Sequence, residues 1–234
     1  NSQYHHDQWF EDIPKFLRQF PDYQQHGLIA AVADRSMVLP VGIDLRRFHT
    51  AVPVSGDAPR IVWNQRWEYD KGPAELAAAL IALQRRGIDF ELVLAGEQFP
   101  TDPDEFVQLQ DELGDRVVHY GWAEADDYIN LLASSDVVVS TAHHEYFGIS
   151  VSEAIYAGAF PVLPNRLVYP ERIPAHFHAR CLYEDENELV EKLAWAVSHD
   201  AATKEVAAAL KPVMAVADWG VVAPQYDAAF SQTA

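Results

Sequence analysis

From Arg60 onward the chain alternates short runs of aliphatic and β-branched residues with longer helical stretches, and few folds accommodate that order other than a parallel sheet wound with helices on both faces. Strands are predicted at Arg60 to Asn64, Phe90 to Ala95, Arg116 to His119, Asp136 to Ser140 and Phe160 to Leu163. Helices are predicted at Pro73 to Arg86, with proline in the first turn, then at Pro103 to Leu113, Glu124 to Ala133, about Gly148 to Ala157, and Glu184 to Ser198. The expected fold is α/β, a Rossmann-like doubly wound parallel sheet. Residues 1–56 lie outside the repeat: a helix around Asp7 to Phe20 leads to a predicted strand at Met37 to Val41 and a Pro- and Gly-containing stretch that reads as a hinge. Residues 57–200 form the repeat, and 201–234 read as an Ala-rich helical tail interrupted by Pro212 and Pro224, with Trp219 as an apolar anchor.

At 234 residues and 49% hydrophobic content the chain can bury a substantial core. No apolar run approaches the roughly 20 residues needed to span a bilayer, and Asn1 to Asp7 lack the pattern of an export signal, so no membrane association is expected. Cys181 is the single cysteine, which excludes an internal disulfide framework and suits a reducing cytoplasm; no activating neighbour is readable around it. The net charge of −18 gives a surface that repels polyanions as a whole, so a nucleic-acid partner would need a local basic patch. The chain begins at Asn1 and runs directly into a helical pattern, from which an upstream part is expected to be missing.

In open α/β sheets ligands sit beyond the carboxyl ends of the strands, so the loops after the strands should face one crevice. After the first strand come Arg66 and Lys71, two cations at the mouth of a helix, which suit a diphosphate; two solvated basic residues beside Glu68 and Asp70 is an equal reading. After the Asp136 strand, a polar loop containing His143, His144 and Glu145 runs through Gly148 into a helix that carries Glu153 about a turn and a half in. These carboxylates could enter the crevice at different depths and accept hydroxyls. His143 and His144 are adjacent and no further ligand set follows at metal spacing, so no metal is expected. His144 is the better candidate for touching a ligand. Tyr120 and Trp122, at the end of the third strand, could border a base or simply pack in the core, and Gly96 could line the crevice or serve as a turn.

Taken together, Arg66 and Lys71 spaced as Arg-x4-Lys, and Glu145 and Glu153 as Glu-x7-Glu across Phe147-Gly148, resemble the donor half of retaining family 4 glycosyltransferases, which have the two-domain GT-B fold. The resemblance implies that Arg66 and Lys71 hold a donor diphosphate and that Glu145 binds sugar hydroxyls. It implies further that amides following Phe147, at Gly148 and Ile149, meet sugar and phosphate, that Glu153 takes the ribose, and that Tyr120 and Trp122 lie where the family places the base. A narrower resemblance runs through Asn1-Ser2, Phe20-Pro-Asp22, Leu39-Pro-Val-Gly42, Trp63, Arg66 to Lys71, Ser140 to Gly148 and Leu167 to Glu171. It is to the queuosine-tRNA mannosyltransferase family and implies metal-independent transfer of mannose from GDP-mannose to queuosine in a tRNA anticodon, with no cofactor. The charge of −18 is poor footing for tRNA, so the basic surface would come from the missing half or the acceptor would differ. The 234 residues alone are expected to bind a nucleotide sugar and transfer little. A nucleotide-sugar-binding module without activity and a nucleotide-sugar epimerase are the alternatives, and the oligomeric state is not legible.

Overall fold

The computed structural model describes residues 1–97 and 104–232. Its centre is a six-stranded parallel sheet formed by β1 (Arg60–Trp63), β2 (Glu91–Ala95), β3 (Val117–Gly121), β4 (Val137–Val139), β5 (Phe160–Pro164) and β6 (Leu182–Tyr183). The strands lie in the order β3-β2-β1-β4-β5-β6. The order reverses between β1 and β4, whose registers pair Ile61 with Val137 and Val62 with Val138. This is the switch point at which a doubly wound sheet opens a crevice. All four residues of β1 and all three of β4 are buried, because helices cover both faces of a parallel sheet and leave no wet side for polar residues.

The helices are α1 (Gln3–Leu17), α2 (Ile29–Ala33), α3 (Pro73–Arg85), α4 (Asp104–Leu113), α5 (Ala125–Ala133), α6 (Ile149–Ala157), α7 (Tyr169–Arg172), α8 (His178–Cys181), α9 (Glu186–Ser198), α10 (Asp200–Ala215) and α11 (Trp219–Gln232). Helix α3 packs against α4 and α9, whereas α6 packs against α5 and α10. The Ala/Leu-rich sequence of α3 buries Leu76, Leu80 and Leu83, and Trp63 and Trp67 meet Phe106 of α4 edge-on at 5.1 and 4.8 Å. Asp185 caps α9 by accepting the Glu188 N–H at 2.9 Å.

Every predicted strand and helix of the repeat is present, with ends shifted by one to a few residues. Pro103, the predicted start of the second helix of the repeat, lies outside the described residues. Three expectations are corrected. Met37 to Val41 does not form a strand: Pro40 brings no N–H, Met37 is exposed, and the local β pairing is a single bridge from Ile43 to Asp218. The first helix starts at Gln3, well before Asp7, because Ser2 caps it by accepting the His5 N–H at 3.0 Å. Pro212 and Pro224 do not interrupt the tail; they lie inside α10 and α11, and the break falls between the two helices, where Ile43 accepts from Trp219 N–H and donates to Ala217 O.

Helix α10 is also more than an appendage. Val206, Leu210 and Met214 are buried in the same core cluster as the sheet, and Ile43, Leu45 and Phe48 join it from the amino-terminal side. Leu210→Ala is therefore expected to destabilise the chain by about 2–5 kcal/mol in urea unfolding; a loss below about 1 kcal/mol would mean that α10 is a dispensable tail.

Candidate functional site

Two adjoining cavities open at the switch point. One, of about 530 Å³, is lined by Arg66, Lys71, His144, Glu145, Phe147 and Ile149, with Glu153 and Asn1 at its margins. The other, of about 410 Å³, is lined by Gly96, Glu97, Trp122, Tyr128 and Arg47. Asn64, Gln65 and Arg66 belong to both, so the loop after β1 forms the ridge between them.

That loop is fastened to the loop after β4. Gly72 stands at φ +68°, ψ 50° as the residue before α3, and a Cβ there would come within 2.4 Å of Thr141 O, so only glycine lets the two backbones approach. Thr141 Oγ1 donates to Lys71 O at 2.8 Å, and His143 N–H donates to Asp70 O at 2.8 Å. Lys71 is buried, not solvated: its Nζ donates to His144 O at 2.7 Å and lies 3.5 Å from Glu145 Oε2 and 3.6 Å from Asp70 Oδ2. An ammonium left in so dry a place needs such partners, and two carboxylates with a carbonyl leave it able to trade one of them for an anionic ligand. Arg66 is different. Its side chain is 56% exposed, its Nη1 donates to Glu68 Oε1 at 3.0 Å, and it lines both cavities.

Glu145 lies at the start of α6. One of its oxygens accepts the N–H groups of Tyr146, Phe147 and Gly148 at 3.0, 3.2 and 2.9 Å. The carboxylate thus occupies a nest of amides at a helix amino terminus, an environment suited to anions. The amide of Gly148, expected to face a ligand, is engaged by Glu145 in this state, while Ile149 begins the helix and lines the larger cavity. Gly148 has φ +78°, which an L side chain adopts only at a cost. Phe147 is buried under the Arg172 guanidinium, 4.3 Å from its ring centroid, and Arg172 Nη2 donates to Ser152 Oγ at 3.2 Å. Burial lowers the Arg172 pKa from the ordinary arginine value, partly offset by Glu171.

Glu153 is 7% exposed and contributes to the wall of the larger cavity. Its Oε2 accepts from Tyr128 Oη at 2.8 Å and its Oε1 from Arg47 Nη2 at 2.5 Å. Burial raises its pKa from the ordinary glutamate value, with Arg47 and Tyr128 pulling the other way. Gly96 is required by close approach: a Cβ would lie 2.0 Å from Gln65 O. Trp122 is exposed and lines the smaller cavity beside Gly96. Tyr120 does not: its ring meets Trp67 edge-on at 4.7 Å, the core-packing alternative, and it is not among the residues lining either cavity. His144 Nε2 lies 2.7 Å from Tyr146 Oη at the cavity wall, and His143 turns away to Glu75. Among the described residues no group of three or more His, Cys, Asp or Glu could hold a metal ion. Cys181 is buried, and burial pushes its thiol up to about 12, so it is inert as a nucleophile.

Four contributors were not read from the sequence. Arg47, Tyr128, Asn64 and Arg172 reach the site from separate segments, and only their proximity in the fold reveals them. Asn64 Nδ2 ties the ridge to α6 by donating to Ser150 O at 2.7 Å and to Tyr128 Oη at 3.0 Å. The amino-terminal segment also meets the site: Ser2 Oγ donates to Tyr146 O at 2.6 Å, and Glu171 accepts the N–H groups of Gln3 and Tyr4.

Comparison with known proteins bears on the family and the fold. Residues 46–211 match the model of the glycosyl transferases group 1 family, and the chain belongs to that family. Residues 1–43 match a second model, tRNA-queuosine alpha-mannosyltransferase N-terminal, and in this chain they include α1, none of whose residues is buried. The tRNA-queuosine alpha-mannosyltransferase of Drosophila melanogaster is 33% identical over 202 residues, covering 82% of this chain and 52% of that protein. The GDP-mannose:cellobiosyl-diphosphopolyprenol alpha-mannosyltransferase of Xanthomonas oryzae pv. oryzae (strain PXO99A) is 25% identical over 167 residues, 67% of this chain and 44% of that protein. The chain thus spans about half the length of the curated relatives it matches. Among solved structures, a glycosyltransferase from Rickettsia africae superposes with a TM-score of 0.73 at 18% identity, covering 89% of this chain and 60% of that one. The Rossmann-like fold read from the sequence, that of the carboxyl-terminal half of a GT-B glycosyltransferase, is the fold observed. No described helix is long and apolar enough to cross a membrane.

Since Gly148 holds a left-handed conformation and a Cβ there would make only an ordinary van der Waals contact, 3.5 Å from the Tyr169 ring, Gly148→Ala should cost about 1–2 kcal/mol through backbone strain. Thermal or urea unfolding measures this; an unchanged midpoint would show that the start of α6 is relaxed at that position.

Proposed function

We propose that the crevice at the switch point binds a nucleoside diphosphate sugar and that the chain is the donor-binding part of a mannosyltransferase, with GDP-mannose as donor. The observation that carries this reading is the convergence of Arg66, Lys71, Glu145, Glu153 and the start of α6 on one cavity. The diphosphate lies against Lys71, Arg66 and the first amides of α6; the sugar lies at Glu145 and His144; the ribose lies at Glu153; and the nucleobase occupies the smaller cavity between Gly96 and Trp122. Mannose as the sugar is supported by two relatives whose names specify mannosyl transfer. Queuosine in tRNA as acceptor is supported by the Drosophila relative and by the match of residues 1–43. With a net charge of −18, this chain leaves most phosphate contacts of such an acceptor to be made outside residues 1–234. Cytoplasmic residence goes with the same reading and with a single reduced thiol.

In the proposed reaction the bond from the anomeric carbon to the leaving phosphate oxygen breaks, and a bond to an acceptor hydroxyl oxygen forms on the same face, with retention. Negative charge grows on the departing phosphate oxygen, and the hydroxyl passes its proton to that oxygen. Arg66, Lys71 and the α6 amides bind that charge more tightly as it grows, which is how fixed cations and dipoles lower a barrier without a metal ion. Glu145 positions the sugar and supports positive charge at the anomeric carbon. For GDP-mannose to reach the amides and Lys71, Glu145 has to give up part of its present contacts, since it now engages both.

Calorimetric titration of the chain with GDP-mannose, UDP-glucose and UDP-GlcNAc tests the reading. GDP-mannose is expected to bind most tightly, and Lys71→Ala and Arg66→Ala each to weaken it by about tenfold or more, as for a lost charge-assisted hydrogen bond. Binding that survives both substitutions unchanged, or no binding of any nucleotide sugar, would sink it.

A further inference from the structure

Arg47 belongs to no readable motif and stands 106 residues from Glu153, yet its side chain reaches that buried carboxylate at the site. Arg47 sits in the 3-10 turn Arg46–Thr50, which is anchored by buried Phe48 and closed by Thr50 Oγ1 donating to Arg47 O at 2.9 Å. Its guanidinium lies over the rings of Phe48 and Tyr128, 5.2 and 5.5 Å from their centroids. One terminal nitrogen serves Glu153, and Nε is buried without a hydrogen-bond partner among the described residues. Arginine thus forgoes a hydrogen bond in order to hold this pose, which points to the pairing with Glu153 as the reason for it.

We propose that Arg47 is a positioning residue: it keeps Glu153 an ionised acceptor, fixed in rotamer, for the hydroxyls of the donor's ribose. This rests on the donor reading above. The physical need is plain. A carboxylate 7% exposed on α6 tends to take up a proton, and a protonated carboxyl loses acceptor capacity and becomes a donor. The charged and titratable groups facing it are Arg47 from the 3-10 turn, Tyr128 from α5 and Asp44 from the segment before the turn. Elsewhere on α6, Lys211 of α10 and His49 face Tyr156, Arg172 faces Ser152, and Glu145 precedes the helix start. Of the groups facing Glu153, Arg47 is the cation, and Asp44 works against it. The sign follows: the folded-state pKa of Glu153 is already raised by burial, and removing Arg47 raises it further, so the acceptor is lost as pH falls and regained as pH rises.

The test is GDP affinity across about pH 6 to about pH 9 for the wild-type chain, Arg47→Ala, Arg47→Lys, Glu153→Gln and the double variant Arg47→Ala/Glu153→Gln. Arg47→Ala is expected to weaken GDP about tenfold at the acid end and to approach the wild type at the alkaline end. Arg47→Lys should fall between, since an ammonium restores charge but not the planar stacking. The double variant should match Glu153→Gln alone, and the wild type's preference for GDP over 2′,3′-dideoxy-GDP should vanish in it. A loss in Arg47→Ala that is independent of pH and adds to that of Glu153→Gln would overturn the proposal and make Arg47 a direct nucleotide contact; an affinity unchanged at every pH would overturn it as well. NMR of 13C-carboxyl-labelled glutamate, with the Glu153 signal assigned by its absence from Glu153→Gln, reads the titration without ligand and reports an upward shift in Arg47→Ala. If wild type bound no nucleotide, the donor reading would fail, and the NMR shift would still decide whether Arg47 governs Glu153.

Discussion

The site depends on a buried ammonium held between two loops that are far apart in sequence. Lys71 follows β1 and Glu145 follows β4, and the contacts of Lys71 with His144 O and Glu145 join the two edges of the switch point. Neither strand could supply this arrangement alone. The parallel order places the carboxyl ends of β1 and β4 side by side, and Gly72 allows their loops to touch at Thr141. The surroundings set the energetics: an ammonium out of water requires partners, and carboxylates provide them when no ligand is present. Under the proposed function a diphosphate would bring the same kind of charge to the same place, and Glu145 would stand where part of the ligand's charge goes.

The second carboxylate is handled differently. Glu145 is charge-balanced by a lysine and a helix start at the mouth of the crevice, whereas Glu153 is buried deeper and balanced by Arg47 and Tyr128. The two glutamates are eight residues apart in the chain, but they are served by separate sets of partners. Substitutions at one should leave the environment of the other largely intact, and under the proposed function this separation would let sugar and nucleoside be gripped independently.

How much of this was legible in the sequence follows from the range of the interactions. The strands at β1, β4 and β5 could be read because a strand buried on both faces must be apolar throughout, as Val137-Val138-Val139 is. Arg66, Lys71, Glu145 and Glu153 could be singled out because each pair lies on a strand-loop-helix unit and the two spacings together resemble a known family's pattern; spacing alone left solvated side chains as an equal reading for the cations. Arg47, Tyr128 and Arg172 could not, because nothing within a few residues of them marks the contact, and their role appears only once α5, α6 and the 3-10 turn are packed. Local patterns also misled. Met37 to Val41 has strand-like composition, but Pro40 brings no N–H and the local β pairing among the described residues is the bridge from Ile43 to Asp218. Pro212 and Pro224 look like breakers but were absorbed within α10 and α11, whose break falls instead where Ile43 pairs with Ala217 and Trp219.

The account predicts where a bound diphosphate must lie, and a crystal structure of the chain with GDP-mannose would test that most directly. The diphosphate should be found within hydrogen-bond distance of Lys71 Nζ and of the first amides of α6, with Arg66 swung in from Glu68 and Glu145 moved off at least part of the amide nest. A nucleotide bound elsewhere, or one seated in the crevice with the Lys71–Glu145 contact and all three Glu145 amide contacts intact, would contradict it.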